Sequence, residues 1–291
     1  MGIGMVEKLH VVPLWFVATA SIVILACLYQ RHVRSLVSIA FLVILSATMI
    51  LVEKSRTPEE SDTIARGKQV YIAEGCIHCH SQYLRPGSQD ERYWGDAKRK
   101  AEVLAASPVM IGNRRQGPDL THVSGRRSDA WLREHFIAPR LFAPDSAMPS
   151  YAHLFQDRRG DDLIAFLTRD RATALPMMQQ RWQQSPALPE GPSDLATGQK
   201  LFARHCSACH GINGDGDGPL ANKLSMPVAN LANGPYRWTQ TTVPRDPSLI
   251  DRVIRHGIPG TDMPGHETFS DEQVRSLRQW VIELYKKPES F

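Results

Sequence analysis

The chain has 291 residues, with 34 Lys plus Arg, 30 Asp plus Glu, 11 His and five Cys. That length accommodates about two domains. A composition of 42% hydrophobic and 22% charged residues excludes both a disordered chain and a wholly intramembrane one. The formal charge of +4 is not gathered into a basic tract, so nucleic acid is not an expected partner.

The mean hydropathy of −0.28 hides a split. The first 52 residues are mostly apolar, and the rest are polar with clustered Gly and Pro. Residues 11–29 carry no charge, and neither do residues 36–52, which Val33 extends. A bilayer core takes about 20 apolar helical residues, and flanking Arg or Lys can snorkel. Two membrane helices are therefore expected, at about 11–29 and 33–52. Trp15 and Tyr29 sit near the ends of the first, where amphipathic rings favour the interface. A cleaved signal peptide fits less well: the start carries little positive charge, no A-x-A site follows Tyr29, and a second span comes at once. The link between the spans holds Arg31, His32 and Arg34. Positive residues stay cytoplasmic. The hairpin then turns inside, and everything after Val52 lies outside. Cys27, within the first span, reads as a small apolar residue.

The remainder contains a diverged repeat. Gly67-Lys68-Gln69-Val70-Tyr71 precedes one Cys pair, and Gly198-Gln199-Lys200-Leu201-Phe202 precedes another. In each, a Gly and an aromatic lie four apart, on one face of an expected helix. Thr57-Pro58-Glu59-Glu60 and Ser193-Asp194 are helix-start signals. After each pair come a Gly/Pro-rich stretch, a Met-Pro, and a final amphipathic helix. Those helices are expected at about 161–169 and 271–286, the latter with Ser270 as N-cap. Pro176, Pro186, Pro189 and Pro192 mark a linker. The expected divisions are a membrane hairpin (1–56), a first domain (57–175), a linker (176–192) and a second domain (193–291).

The Cys pairs carry the chemistry. Cys76-Ile77-His78-Cys79-His80 and Cys206-Ser207-Ala208-Cys209-His210 are both Cys-x-x-Cys-His, the attachment pattern for c-type haem. Two thiols one helical turn apart add to the two haem vinyl groups. The adjacent imidazole then reaches the iron, so His80 and His210 are expected axial ligands. A redox Cys pair would not need the His twice. A zinc site would want four ligands together. Disulfides form in an oxidising compartment, but do not explain the two His.

The sixth ligand decides the task. Met opposite His gives a six-coordinate iron of raised potential, suited to electron transfer. Met148 and Met263 fit this role, each in a Met-Pro ahead of the last helix of its copy. Met226-Pro227 is a rival to Met263, nearer its Cys pair. Met49, Met110, Met177 and Met178 read as gap fillers. Pro118 and Pro219 each offer a carbonyl that could accept from the second nitrogen of the axial His and tune the iron.

Other features read as bland. Asn213 to Gly218 resembles the start of a calcium loop, but its twelfth position is Leu224 rather than Glu. His78 reads as an exposed residue. Arg85, Arg114 and Arg115 are candidate partners of haem propionates, and as easily read as solvated or as contacts of another subunit. Two haems bring four propionates, which would roughly cancel the +4.

Residues 75–151 resemble the membrane-anchored mono-haem c subunit (subunit II) of cbb3-type haem-copper oxidases. The matching strings are Gly75-Cys76-Ile77-His78-Cys79-His80-Ser81-Gln82, Arg85-Pro86, Glu91-Arg92-Tyr93, Gly117-Pro118-Asp119-Leu120, Gly125-Arg126, Trp131, Pro139-Arg140 and Met148-Pro149-Ser150-Tyr151. The resemblance implies that His80 and Met148 ligate haem, and that the long loop between His80 and Gly117 helps dock a catalytic subunit. Residues from about 193 to 286 resemble a class I cytochrome c domain. The family has one membrane helix and one haem, whereas two of each are expected here. The c subunit of nitric oxide reductases is a similar relative.

The expected protein is all-α, a transmembrane hairpin followed by two class I cytochrome c domains. It holds two covalently bound haem c groups and is anchored in the lipid of a bacterial inner membrane, with its haem domains periplasmic. It passes electrons from a soluble donor, such as a small cytochrome c, to a haem-containing integral membrane catalytic subunit. It does not itself reduce oxygen or nitric oxide, since two spans with almost no His cannot build that centre. The alternatives are a nitric oxide reductase subunit and a stand-alone dihaem enzyme such as a peroxidase. The latter needs an open iron position, which the two Met-Pro candidates oppose.

Overall fold

The computed structural model describes residues 58–95, 103–104, 107–112, 116–234 and 246–286. Its described secondary structure is helical: α1 (Pro58–Ala73), α2 (Gln89–Trp94), α3 (Asp129–Ile137), α4 (Arg159–Leu167), α5 (Arg171–Gln184), α6 (Leu195–His205), α7 (Pro247–His256) and α8 (Asp271–Lys286). Short helical turns carry the Cys pairs, at Cys76–Cys79 and Ser207–His210. Among the described residues there is no strand, only an isolated bridge between Gly257 and Pro264. No described helix is long and apolar enough to cross a membrane. The spans expected at 11–29 and 33–52, with Cys27, lie outside the described residues.

The helix starts follow local chemistry. Asp194 caps α6 by accepting from Thr197 N–H at 2.7 Å. Ser270 caps α8 in a reciprocal box: its hydroxyl accepts from Gln273 N–H at 3.1 Å, and Gln273 Oε1 accepts from Ser270 N–H at 2.8 Å. Ser128 caps α3 through Trp131 N–H.

Two helix crossings repeat the same design. A Cβ on Gly67 of α1 would lie 1.8 Å from the Asp162 carbonyl oxygen of α4. A Cβ on Gly198 of α6 would lie 2.0 Å from the Ser276 carbonyl oxygen of α8. Only Gly permits such a close approach of backbones. Four residues on, Tyr71 and Phe202 are each 1% exposed. Tyr71 packs on Phe166, with ring centroids 5.5 Å apart. Phe202 joins Val274, Leu277, Val281 and Leu284 in the second core.

The stretch expected as a linker starts differently. Helix α5 continues through Pro176 to Gln184, and only the residues after it are extended. Pro176 removes one i→i−4 hydrogen bond. The helix persists because tertiary packing holds it: Ala174 and Met178 are buried against Gly125, whose Cβ would lie 2.7 Å from the Ala174 carbonyl oxygen. Residues Asp62–Phe291 form one compact unit, so the two halves of the repeat touch.

Candidate functional site: a shared haem cleft

The first Cys pair sits on a single turn ended by extended backbone at His80. His80 Nδ1 donates to the Pro118 carbonyl at 2.9 Å. A carbonyl only accepts, so the proton is on Nδ1 and Nε2 is left for a metal. Burial holds the His80 imidazole below its ordinary pKa and so keeps it neutral, although the Pro118 bond opposes this. The loop presenting Pro118 is itself fixed. Asp119 is fully buried, and its carboxylate accepts from the Ser81 hydroxyl, from Tyr83 N–H at 3.0 Å and from Thr121 N–H at 2.7 Å. Tyr71 Oη donates to the His80 carbonyl at 3.3 Å.

The second pair repeats the turn but not the carbonyl. Gly117 N–H donates to Cys79 O and Gly218 N–H to Cys209 O, both at 3.1 Å, so the two Gly-Pro strings occupy equivalent places. Yet His210 Nδ1 donates to the Ala229 carbonyl at 3.1 Å rather than to Pro219, which corrects the expectation for Pro219. The reason lies in the loop after His210. Leu231 N–H donates to Gly214 O at 2.6 Å and folds residues 226–231 back over the ring. Burial again holds the imidazole below its ordinary pKa.

Among the described residues the four Cys form no disulfide. Burial pushes Cys76 up to about 11 and Cys206 up to about 12. A redox Cys pair needs a depressed thiol pKa, so this environment opposes that reading. Among the described residues no three His, Cys, Asp or Glu side chains converge as a metal-ion site would require.

One continuous cavity of about 1200 Å³ joins both sites. Cys76, Cys79, His80 and Met148 line it from the first half. Cys206, Cys209, His210, Met226 and Met263 line it from the second. Most of its wall is apolar, including Leu132, Leu163, Ile254 and Leu277. The Met148 strap is tied to the end of α3: Tyr151 N–H donates to Phe136 O at 2.8 Å and Ser150 Oγ to Ile137 O at 2.7 Å. Both Met226 and Met263 reach the wall of the cleft.

The donor set fits haem c. Two thiols and a neutral imidazole stand on each turn, a thioether lines each half, and the room is apolar. A Cβ on Gly117 would lie 2.2 Å from the His80 ring, so the backbone there is moulded to the imidazole. When bound, the group supplies a one-electron iron centre.

The charged wall is built from other residues than those Arg. Arg85 is exposed and away from the cleft, and Arg114 and Arg115 lie outside the described residues. Arg126 and Arg127 line the cleft instead, as does Glu267 from the second half. Arg127 Nη2 lies 3.2 Å from Glu267 Oε2, and Arg126 Nη1 lies 3.9 Å from Glu267 Oε1. Burial lowers Arg126 to about 10. Burial pushes the Glu267 carboxyl up, but Arg127 and Arg126 outweigh it and hold it below the usual range. Two cations against one carboxylate leave room for an anionic propionate. Trp131 and His135, stacked 4.5 Å apart, complete this wall, and burial lowers His135 to about 3. Trp131 Nε1 and His135 Nδ1 are buried with no hydrogen-bond partner among the described residues. Gly125-Arg126 and Trp131 carried part of the family resemblance, and nothing in their spacing assigned them a role. Ala229 had no sequence signal, because every residue offers a carbonyl. His78 is exposed.

A predominantly helical structure with Cys-x-x-Cys-His turns facing an apolar cleft defines a c-type cytochrome, which binds haem c covalently and transfers electrons. The family described as cytochrome c oxidase, mono-haem subunit (FixO) matches residues 14–186, more than half of the chain. The chain belongs to that family, the membrane-anchored mono-haem subunits of cbb3-type oxidases, fused to a further cytochrome c domain matched over residues 195–284. Among solved structures it is similar to a chain of the reducing HAO-like protein complex of Kuenenia stuttgartiensis. That alignment has 18% identity, 75% coverage of this chain, 95% of the other, and a TM-score of 0.28.

Proposed function

We propose that the chain is a dihaem relay in a cbb3-type oxidase. A periplasmic donor such as a small cytochrome c reduces the haem at Cys206, Cys209 and His210. The electron passes to the haem at Cys76, Cys79 and His80, and then to a haem-containing membrane catalytic subunit. The haem domains correspond to 57–175 and 193–291, and the hairpin at 11–29 and 33–52 anchors them on the periplasmic side. Met148 and Met263 complete the two irons. The observation that carries this reading is the continuous cleft lined by both attachment turns.

Surface features support the order. Leu104 and Ile111, on the long loop that the resemblance assigns to docking, are 58% and 47% exposed. They suit a partner at the first haem. Ile212, two residues after His210, is 62% exposed and suits a donor at the second.

The test purifies the native complex through this chain in mild detergent. Haem analysis should give two haem c per chain, and the complex should consume oxygen. Replacing Met263 should block reduction by the donor yet spare transfer from the first haem to the partner. The opposite pattern reverses the order. Consumption of nitric oxide with little oxygen uptake replaces the oxidase by a nitric oxide reductase. Peroxide turnover by the chain alone overturns the subunit reading.

A further inference from the structure

The loop that carries Met263 is a small closed lobe. Its neck is formed by Gly257 and Gly265. Gly257 has φ +67°, and a Cβ there would lie 2.5 Å from Gly265 N and from Met263 O. Inside the lobe, Ile258 N–H donates to Met263 O at 3.0 Å, and Thr261 Oγ1 accepts from Met263 N–H at 3.1 Å. These bonds use the groups that face inward. The outward-facing groups are bound by the other half of the chain.

Three donors from the first half reach it. At one side of the neck, Trp182 Nε1, near the end of α5, donates to Gly257 O at 2.7 Å. At the other side, Arg127 Nη2 donates to Gly265 O at 2.9 Å. Between them, the Ser128 hydroxyl donates to Asp262, the residue before Met263. Arg127 also pairs with Glu267, just beyond the lobe. Asp262 uses its second oxygen to accept from Met226 N–H at 2.8 Å, so both Met-Pro segments hang on one carboxylate. An interface whose only task was adhesion would not need to converge on both ends and the middle of one ligand loop.

We propose that Trp182 and Arg127 are positioning residues for the axial Met263 of the second haem. The first half of the chain holds the ligand loop of the second, so the strength of Met263 ligation, and with it the potential of the second haem, depends on the contact between the halves. This rests on Met263 being the sixth ligand.

The experiment uses the full dihaem chain in mild detergent. Two quantities are read: the near-infrared Met-to-iron(III) charge-transfer band, and the affinity of the ferric haems for imidazole, which competes with Met. Trp182→Phe keeps an aromatic ring beside Arg252, whose guanidinium lies 5.3 Å from the Trp182 ring, and removes the indole donor with part of the ring volume. Arg127→Lys keeps the charge and removes the fork. Losing one such hydrogen bond should let imidazole bind one haem about two- to tenfold more tightly. The band of that haem should fall, and the other haem should not change. Run in a Met148→His background, the same measurement assigns the change to the second haem.

Met263→His is the control. If it leaves both Met bands in place, Met263 is not the ligand and the underlying reading fails. If it removes one band while Trp182→Phe leaves imidazole affinity and band unchanged, the positioning role is overturned, even where the thermal midpoint drops. Trp182→Phe decides alone should Arg127→Lys fail to accumulate.

Discussion

Gly117 shows how much one missing Cβ controls. Its place against the His80 ring leaves no space for a methyl group. Gly117→Ala should displace the imidazole and its bond to Pro118. We expect haem spectra showing the first iron without its normal His/Met pair, while the second haem stays native. At the same scale, burial lowers His256 from the ordinary 6.5 to about 4. The folded state therefore binds fewer protons than the unfolded chain between those values. Its contribution to stability is intact above pH 6.5 and is lost as pH falls towards 4. Thermal midpoints should drop across that window, and His256→Asn should flatten the slope.

At the scale of elements, the two Gly-mediated crossings carry the repeat. Gly198→Ala forces a methyl group onto the Ser276 carbonyl and must push α6 and α8 apart. We expect a loss of about 1–3 kcal/mol, in the range of overpacked cores, seen as a lower denaturant midpoint. Gly67→Ala should do the same to α1 and α4. These crossings were legible in the sequence because a Gly and an aromatic four apart mark one helix face. The caps Asp194 and Ser270 were legible for the same local reason. Helix α5 was not. Pro176 signals a break, and only the burial of Ala174 and Met178 against Gly125 outweighs the lost hydrogen bond.

Across the whole molecule, ion pairs join the halves. Glu267 meets Arg126 and Arg127, Lys223 lies 3.4 Å from Glu134, and Arg204 pairs with Asp145. The last two are partly exposed, and salt should screen them with little effect. The buried Glu267 is different, because removing it strands two guanidinium groups. Glu267→Gln should cost about 3 kcal/mol of stability, measured by chemical unfolding of the full chain. It should also make the two halves unfold in separate steps rather than together.

The sequence by itself determined the chemistry. Cys-x-x-Cys-His is contiguous, so the proposed attachment, axial His and haem type are readable in five adjacent residues. Met148 and Met263 stood out because Met-Pro recurs at matching places in the repeat. Tertiary structure decided everything that depends on distant backbone meeting a site. It brought the Ala229 carbonyl, not that of Pro219, to His210, because a loop folds back. It placed Arg126 and Arg127 on the cleft and tied them to Glu267, more than a hundred positions away. It also opened both Cys-x-x-Cys-His turns onto one cavity. Covalent and ligand chemistry is set by residue identity at short range, whereas cavity walls are set by which faces the packed helices turn towards each other.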